Sequence, residues 1–378
     1  MDGRLTGSNI YKQNPHLRPF HSAMDILEQN PKTVTNYKTA IKSLGETLLI
    51  KPSFYPAYLN LGKIYEKVRN YDQAESSYKS ALSLDQGNVE AIRGIVRIYI
   101  KQNKTQDALN LINSLLKSSE NNIDYLNLKI LALINIKDYS NALLTIQKIM
   151  EVERSNVTAI NNLGLIYYQT GKYNLSELTL QNGIKIDPKQ SELHSNLGLV
   201  LLKTDQIQSA IYEFNKAKEL DPNFAEPRMN LADLYLRYSN YPGALREYGE
   251  ILQRDPVNPT AMTNYSLCLM FQGNYQTASR FLKSSLSIEP QNSAAVYNLG
   301  LLYKNDIPEP ETSLEYFKKY VSMEKVNLKP KDEVFSFIKD LENQLLAKKA
   351  KEQAAAAIQE KKTPTVENKQ KPVKKKNQ

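Results

Sequence analysis

The sequence has 378 residues, 24% of them charged and 41% hydrophobic, with 49 Lys and Arg against 40 Asp and Glu. A net charge of +9 attracts polyanions, yet the excess lies at the ends, because residues 348–378 carry ten lysines and three glutamates while residues 21–347 are neutral. A single cysteine, Cys268, excludes an intramolecular disulfide and a cysteine-based zinc site, and no apolar run is long enough to span a bilayer.

The first 54 residues divide into an arm and a degenerate repeat. Residues 1–20 lack periodicity and are predicted to be disordered, and they have no apolar core of the kind that a signal peptide needs. The chain as written is therefore predicted to be cytoplasmic. The alternative is the cell envelope, if a misassigned start codon hides an export signal. In residues 21–54, Pro31 predicts a short or broken first helix. Three residues fit the second half of the repeat described next: Ala40, Leu44 and Pro52.

From residue 55 to residue 326 the sequence repeats itself every 34 residues. Eight units begin at Tyr55, Val89, Ile123, Val157, Ser191, Ala225, Pro259 and Ser293. Each unit carries two apolar stripes with the three- to four-residue spacing of amphipathic helices. Many units close with Asp-Pro or Glu-Pro, and proline disfavours helix in the residue before it. Because such short helices cannot bury their stripes as a pair, neighbouring pairs are predicted to stack.

Two motifs recur in these units: aromatic-x-x-Leu-Gly-x-x-Tyr in the first helix and Ala-x-x-x-aromatic-x-x-Ala in the second. The small residue of the first motif stands at Gly62, Gly164, Gly198 and Gly300. These motifs resemble those of the tetratricopeptide-repeat family. The resemblance implies an all-α, right-handed solenoid of about nine helix–turn–helix repeats, whose first helices line a concave wall that binds extended peptides or partner helices. Two units have Val96 and Ile130 at the small position, so a different local packing is expected there.

The C-terminal region is predicted to be a cap followed by a tail. Residues 327–347 form the capping helix that a solenoid needs over its last apolar surface. Its apolar face is formed by Val334, Phe335, Ile338, Leu341 and Leu345. Residues 348–378 begin as a Lys/Ala-rich helix and end as a disordered basic tail. The lysines of the tail either bind nucleic acid or anionic lipid or only favour solubility.

A row of asparagines stands at one position of the first helices. Its members, 34 residues apart, are Asn162, Asn196, Asn230, Asn264 and Asn298. They resemble the asparagine ladder in the tetratricopeptide superhelix of O-linked N-acetylglucosamine transferases, where carboxamides hydrogen-bond the backbone of a threaded peptide. A carboxamide offers both a donor and an acceptor, so it matches a peptide group regardless of its side chain. The alternative is that these asparagines bond a neighbouring repeat.

The other residues expected on the inner wall fall into two zones. The apolar zone comprises Leu165, Tyr168, Leu199, Leu236, Leu267, Met270, Phe271 and Tyr297. The basic groove patch comprises Lys63, Lys67, Arg93, Arg97 and Lys101. A peptide with an acidic end and a hydrophobic body would suit this arrangement. The alternative is a solvated face at one end and ordinary packing between helices at the other.

The sequence offers no recognisable catalytic or metal-binding motif. His16, His21 and His194 are not spaced for a shared metal ion, so neither a metal nor a cofactor is predicted. Cys268 lies in an apolar helix and is expected to be a small buried hydrophobe, and His194, in place of an aromatic residue, is expected to be structural.

The sequence therefore predicts a non-catalytic scaffold that grips an extended segment of a protein or peptide partner. Two alternatives stay open. The basic tail would tether the solenoid to nucleic acid or an anionic membrane. The resemblance alone suggests the other, an accessory or assembly factor of a bacterial envelope machine for motility, secretion or pilus formation.

Overall fold

The computed structural model of the protein describes residues 7–29, 33–329 and 331–362. Across these ranges the only regular secondary structure is helix. The helices are α1 (Gly7–Gln13), α2 (Leu17–Glu28), α3 (Val34–Ile50), α4 (Tyr55–Lys67), α5 (Tyr71–Leu84), α6 (Val89–Lys101), α7 (Thr105–Leu116), α8 (Ile123–Asn135), α9 (Tyr139–Val152), α10 (Val157–Gln169), α11 (Tyr173–Ile186), α12 (Ser191–Lys203), α13 (Ile207–Leu220), α14 (Ala225–Arg237), α15 (Tyr241–Arg254), α16 (Pro259–Phe271), α17 (Tyr275–Ile288), α18 (Ser293–Asn305), α19 (Pro310–Glu324) and α20 (Glu333–Lys362).

Within the described residues, nine consecutive helix pairs run from α2–α3 to α18–α19, and α20 follows the last pair. From α2 to α17, and again from α18 to α20, helices that are neighbours along the chain pack against each other. The prediction of an all-α solenoid of about nine repeats is therefore confirmed. The chain divides into two compact units, Met1–Pro290 (unit 1) and Gln291–Gln378 (unit 2).

The turn inside each pair from α4–α5 to α16–α17 has one residue with a left-handed backbone. These residues are Arg69, Asn103, Lys137, Gly171, Asp205, Ser239 and Gly273, with φ between 58° and 75°. The left-handed conformation costs a residue with a Cβ roughly 1–2 kcal/mol, yet only two of the seven are glycine. The turn geometry is thus kept by the packing of the helices on either side, and not by glycine alone.

Asparagine side chains begin several of the first helices. Each accepts a hydrogen bond from the backbone N–H three residues ahead, at the N-termini of α6, α8, α10, α16 and α18. The capping residues are Asn88, Asn122, Asn156, Asn258 and Asn292. Such a cap stabilises a helix by about 1 kcal/mol, which helps to fix where each 13-residue first helix starts.

The small residue of the first motif makes room for the large side chain of the second. A Cβ at Gly198 would lie 2.6 Å from the ring of Phe214. The ring of Tyr78 lies between two glycines, since a Cβ at Gly62 would be 2.6 Å and one at Gly94 2.5 Å from it. These distances are shorter than van der Waals contact, so the ring and a side chain at the glycine position cannot both be accommodated.

Replacing Gly94 by alanine is expected to destabilise the fold by about 1–3 kcal/mol, the usual cost of overpacking a core. The Tyr78 ring is fully buried and would have to move. Urea unfolding followed by circular dichroism measures the change. Gly45→Ala, which also lies inside a helix, is the matched control, because a Cβ there meets no atom within 4 Å. A midpoint for Gly94→Ala equal to that of the control would contradict this account.

The two units that lack the small glycine have an aliphatic core instead. Val96 and Ile130 are fully buried, and Ile112 and Ile146 stand where the second motif has its aromatic residue. Two branched aliphatic side chains therefore replace the combination of glycine and ring, which conserves the volume of the core.

The prediction that residues 1–20 form a disordered arm is wrong for residues 7–20, the part that the structure describes. Residues 7–20 contain α1 and the start of α2. Phe20 packs edge-on to Phe54, with ring centroids 5.1 Å apart, and His16 lies 4.9 Å from the same ring. Residues 1–6 lie outside the described residues. These few aromatic contacts, without any repeat, order the segment against the α3–α4 region.

Unit 2 consists of α18, α19 and α20 among the described residues. The predicted cap is present, but it begins at Glu333 and continues unbroken to Lys362, so the cap and the Lys/Ala-rich segment are one helix. Val334 and Leu341 are buried against Phe317 as expected. Phe335 is 37% exposed, whereas Phe337 contacts Phe317 at 5.4 Å. Val334, Phe337 and Leu341 have the spacing of residues on one helix face, and Phe335 lies outside that face. The predicted tail at 363–378 lies outside the described residues.

Candidate functional site

The row of asparagines lies on the first helices α10, α12, α14 and α16 of unit 1. Their four side chains, Asn162, Asn196, Asn230 and Asn264, are partly exposed. They occupy equivalent positions of successive 13-residue helices. Asn298, on α18, belongs to unit 2.

Two of these asparagines hydrogen-bond the preceding repeat. The Asn196 amide donates to Asn161 Oδ1 over 2.8 Å. The Asn264 amide donates to the Tyr248 hydroxyl over 3.2 Å and to Asp233 Oδ1 over 3.3 Å. Both bonds use the N–H₂ group and leave the carbonyl oxygen as an acceptor. They fix the orientation of the carboxamides before any ligand is bound.

The Tyr248 hydroxyl, which donates to Asp233, is the centre of this small network. Burial, together with the hydrogen bond to the Asp233 carboxylate, raises the pKa of Tyr248. The hydroxyl therefore keeps its proton and its direction at physiological pH. By contrast, Asn162 and Asn230 make no side-chain hydrogen bond within the part of the chain that the structure describes.

The apolar residues predicted for the inner wall differ in how far they are exposed. Leu165, Tyr168 and Leu199 are partly buried against the cores of neighbouring repeats. Phe271 is 58% exposed and stacks on Tyr241 with ring centroids 4.7 Å apart. Three further residues are partly buried: Leu236, Leu267 and Met270. Of the apolar residues predicted for the inner wall of unit 1, Phe271 therefore leaves the most side-chain surface open to solvent.

Tyr297 lies in unit 2 with Asn298. Its ring contacts Phe317 and Tyr320, with centroids 5.8 and 4.9 Å away. These contacts fix the orientation of the ring. Burial raises the pKa of the Tyr297 hydroxyl.

Each residue of the basic groove patch has an acidic neighbour. Lys63 pairs with Glu90 at 2.5 Å, and Lys67 pairs with Asp255 at 3.1 Å. Arg97 and Lys101 share one carboxylate, and Arg93 lies 3.9 Å from another. The shared carboxylate is Glu66, and the neighbour of Arg93 is Asp124. The structure therefore balances most of the positive charge in this patch.

Glu66 is the most enclosed acid of the patch. Burial would raise its pKa, but the hydrogen bonds and charges of Arg97 and Lys101 outweigh burial and hold the pKa below its usual value. Glu66 also accepts a hydrogen bond from the Tyr78 hydroxyl at 3.1 Å. The carboxylate thus ties the basic groove patch to the core of its repeat.

Unit 1 closes on itself at this patch. Lys67, at the end of α4, reaches Asp255, which follows α15 and lies 188 residues further along the chain. A cavity of about 660 Å³ lies between the two regions. It is lined on one side by Lys63, Lys67, Arg97 and Lys101, and on the other by Asp221, Glu226, Asp255 and Val257. The sequence marked Asp221 and Asp255 only as helix boundaries, and no signal in it pointed to this contact.

A buried carboxylate, Glu247, was also missed by the sequence. Its side chain is only 3% exposed, and it pairs with Lys218 at 2.8 Å and with Arg228 at 3.0 Å. It joins α13, α14 and α15. Glu247 lies on the second helix of its unit, where an acidic residue is ordinarily solvated, so nothing in the local pattern distinguished it.

His194 and Cys268 are both buried, as residues with a structural role are. Cys268 is fully buried, and burial raises the pKa of its thiol to about 11. The imidazole of His194 is 6% exposed, donates from Nδ1 to Glu213 over 2.6 Å, and donates from Nε2 to the carbonyl of Pro188 over 3.1 Å. The bond to Glu213 raises the pKa of His194 above 6.5, against the effect of burial.

The pair between His194 and Glu213 predicts a pH dependence. Because the folded pKa of His194 is raised, the pair stabilises the fold fully below pH 6.5, and this contribution is lost as the pH rises through the folded pKa. Glu213→Gln is therefore expected to lower the urea midpoint more near pH 6 than near pH 9. Glu151→Gln, at an exposed position, is the control. If Glu213→Gln lowers the urea midpoint by the same amount at both pH values, the result would contradict this assignment.

Two general features of the described ranges bear on function. Across residues 7–29, 33–329 and 331–362, no three His, Cys, Asp or Glu side chains lie together as metal ligands would. In the same ranges no helix is both long and apolar enough to cross a bilayer.

Known proteins with similar sequences or structures share the repeat. A family profile described as tetratricopeptide repeat matches residues 68–130 and 236–301. A second, described as TPR repeat, matches residues 164–205, and a third, again tetratricopeptide repeat, matches residues 191–224. Together these matches span about half of the chain. No curated protein matches this sequence significantly.

Among solved structures, a chain of the APC/C hetero-tetramer Cut9–Hcn1 superposes with a TM-score of 0.55 at 12% identity, over 89% of this chain. The match covers 65% of that chain, so this protein spans somewhat less than two thirds of its length. MamA of RS-1 (TM-score 0.40, 16% identity) covers 45% of this chain and 95% of its own. YrrB, described as a TPR protein with an unusual peptide-binding site (TM-score 0.36, 21% identity), covers 50% and 96%.

Proposed function

Since this chain belongs to the tetratricopeptide-repeat family and is a scaffold for protein–protein interaction, we propose that it binds an extended segment of a partner protein along α10, α12, α14 and α16. The observation that carries the proposal is the row of partly exposed carboxamides on these four helices. The scaffold itself supplies no reaction in this proposal, and its role is to hold the partner.

The hydrogen bonds of the row support a backbone ligand. The amide groups of Asn196 and Asn264 are used within the chain, so their carbonyl oxygens are left to accept N–H groups. Asn162 and Asn230 keep both a donor and an acceptor. An extended strand presents N–H and C=O groups in alternation, which such a row can satisfy without reading side chains.

The apolar surface beside the row supports a partner with hydrophobic side chains. Phe271 is the most exposed of these residues, and burying it against a ligand would remove a large aromatic surface from water. Side chains of the bound segment would pack between Phe271, Met270 and the leucines of the preceding first helices. Hydrophobic contact then adds affinity, and the carboxamides align the backbone.

The proposal is tested by capture of a partner with the full chain and with a variant in which the four carboxamides are removed. Loss of capture with retained helicity supports the proposal, and unchanged capture overturns it. Retention of salt-sensitive binding to nucleic acid or anionic vesicles by residues 348–378 alone would instead favour tethering through the tail.

A further inference from the structure

The closure of unit 1 joins regions that are far apart in the sequence. On one side are α3, α4 and the turn that follows, and on the other are the ends of α15 and α17. Lys67 Nζ lies 3.1 Å from Asp255 Oδ2, and Arg69 Nη1 lies 3.7 Å from Glu289 Oε1. We call this contact the seam.

An apolar contact accompanies the two ion pairs of the seam. Val257, in the turn after α15, is only 3% exposed and belongs to the same buried cluster as Leu61 and Ile64 of α4. Ile288, next to Glu289, packs against this cluster too. Val257 is thus buried by residues of a repeat that its own repeat does not adjoin in the chain.

The seam is small compared with the contacts between successive repeats. Its ion pairs are partly exposed, with Lys67 54% and Arg69 30% accessible, and pairs of this kind contribute little and are screened by salt. A second cavity of about 190 Å³ interrupts the packing, lined by Tyr37, Lys67 and Asp255 among others. A contact with few apolar side chains and exposed charges is suited to reversible opening.

The seam also occupies the basic groove patch. The turns that carry Asp221 and Asp255 face Lys63, Lys67 and Arg97 across the 660 Å³ cavity. Acidic groups of this chain therefore stand where an acidic segment of a partner would bind. The turn and such a segment compete for the same cations.

We propose that the seam is a latch, and that an acidic segment of the partner opens it by taking Lys67 and Arg69 from Asp255 and Glu289. This inference rests on the proposed function, because it adds an acidic end to the ligand that is bound along the asparagine row. Because an acidic segment opens the seam, entry of the ligand into unit 1 depends on the charge of the ligand. A neutral segment would meet a closed unit 1, whereas an acidic one would separate α4 from the turn at Val257.

Distances across the seam test the latch without any partner. Nitroxide spin labels are placed at Ser53→Cys and Gln253→Cys, both exposed, in a Cys268→Ala full-length chain. Pulsed electron paramagnetic resonance is expected to give a distance distribution dominated by one narrow peak, that of the closed form, with at most a minor population at longer distance. Val257→Asp, which places a charge in the buried seam, should broaden and lengthen it. Val152→Asp, at a position 56% exposed, is the matched control and should not.

Charge reversal provides a second set of variants in case Val257→Asp does not fold. Glu289→Arg should lengthen the distance, and Arg69→Glu with Glu289→Arg should restore it. The acidic probe is a decamer of glutamate, with a decamer of glutamine as control. If one molecule in ten is open at rest, an opened variant should bind the glutamate probe about tenfold more tightly than wild type.

These experiments test the latch independently of the proposed function. A wild-type distance that oligoglutamate lengthens and oligoglutamine does not supports the latch. An unchanged distance in Val257→Asp and Glu289→Arg overturns it, and opening by mutation without any response to oligoglutamate overturns the acidic opener. The alanine variant of the asparagine row is expected to retain the latch, so failure of one proposal leaves the other to stand on its own data.

Discussion

Replacing Asn162, Asn196, Asn230 and Asn264 together by alanine is expected to abolish capture of the partner and to leave helicity and thermal unfolding close to wild type. One hydrogen bond contributes about 1 kcal/mol net, so four lost bonds correspond to roughly a thousandfold loss of affinity. Affinity capture with the full chain, followed by identification of proteins that the variant loses, measures the effect.

A matched control separates the position of the asparagines from their number. Four asparagines on the exposed surface of second helices are replaced by alanine in the same way: Asn110, Asn113, Asn174 and Asn182. This control should capture the partner as wild type does. If instead the row variant unfolds, the hydrogen bonds from Asn196 to Asn161 and from Asn264 to Tyr248 are what matters, and the row is structural.

Replacing Glu247 by alanine is expected to lower the free energy of unfolding by about 3–5 kcal/mol, because it leaves two enclosed cations without their counter-charge. Lys218 is 20% and Arg228 11% exposed, so neither regains full hydration without movement of α13 or α14. Urea unfolding of the full chain, followed by circular dichroism and by hydrogen exchange of α13 to α15, measures the loss and locates it.

Two variants show whether the charge is the cause. Glu219→Ala removes a carboxylate that is 66% exposed and only 3.6 Å from Lys216, and should change stability by less than about 0.5 kcal/mol. Replacing Glu247, Lys218 and Arg228 together by methionine, leucine and methionine should recover most of the loss, since apolar side chains can substitute for a buried ion network. A small effect of Glu247→Ala would show that the network is not needed for stability.

The helices of unit 1 were predicted well from the sequence because the same pattern of apolar residues recurs in each repeat. The starts of the first helices at Val89, Ile123 and Val157 agree with the structure residue for residue. The segments without a repeat were predicted less well. Phe20 was assigned to a disordered arm, and Phe335 was placed on a buried face that Phe337 in fact occupies. Phe335 and Phe337 both border the apolar stripe in the sequence, and without a repeat there is no second copy to show which of the two belongs to it.

The units that begin at Val89 and Ile123 have no asparagine at the position of the row, for a structural reason that the sequence did not reveal. In the unit that begins at Val89 the equivalent position is Gly94, and its lack of a side chain admits the ring of Tyr78. The next unit has Leu128 there, which is 5% exposed and part of the aliphatic core. Core packing requires these residues at the two positions, so the consecutive asparagines of unit 1 begin at Asn162.

The closure of unit 1 could not be predicted from the repeat, because a repeat describes only contacts between neighbours. Lys67 and Asp255 are 188 residues apart, and small rotations between successive helix pairs accumulate to bring them together. The basic groove patch was recognisable from its charges, but the acids that balance it come from other helices and turns. Charge along one helix face is therefore a poor guide to net charge in the folded chain.

Photo-crosslinking from the first helices tests most directly whether a partner segment lies along the asparagine row. A benzoylphenylalanine is placed at Leu199, on α12 beside Asn196, or at Leu178, on the second helix α11 and 55% exposed. The account predicts a crosslinked partner from Leu199, none from Leu178, and loss of the Leu199 product when Asn162, Asn196, Asn230 and Asn264 are alanine. Crosslinking from Leu178 in place of Leu199, or a Leu199 product that persists in the alanine variant, would contradict it.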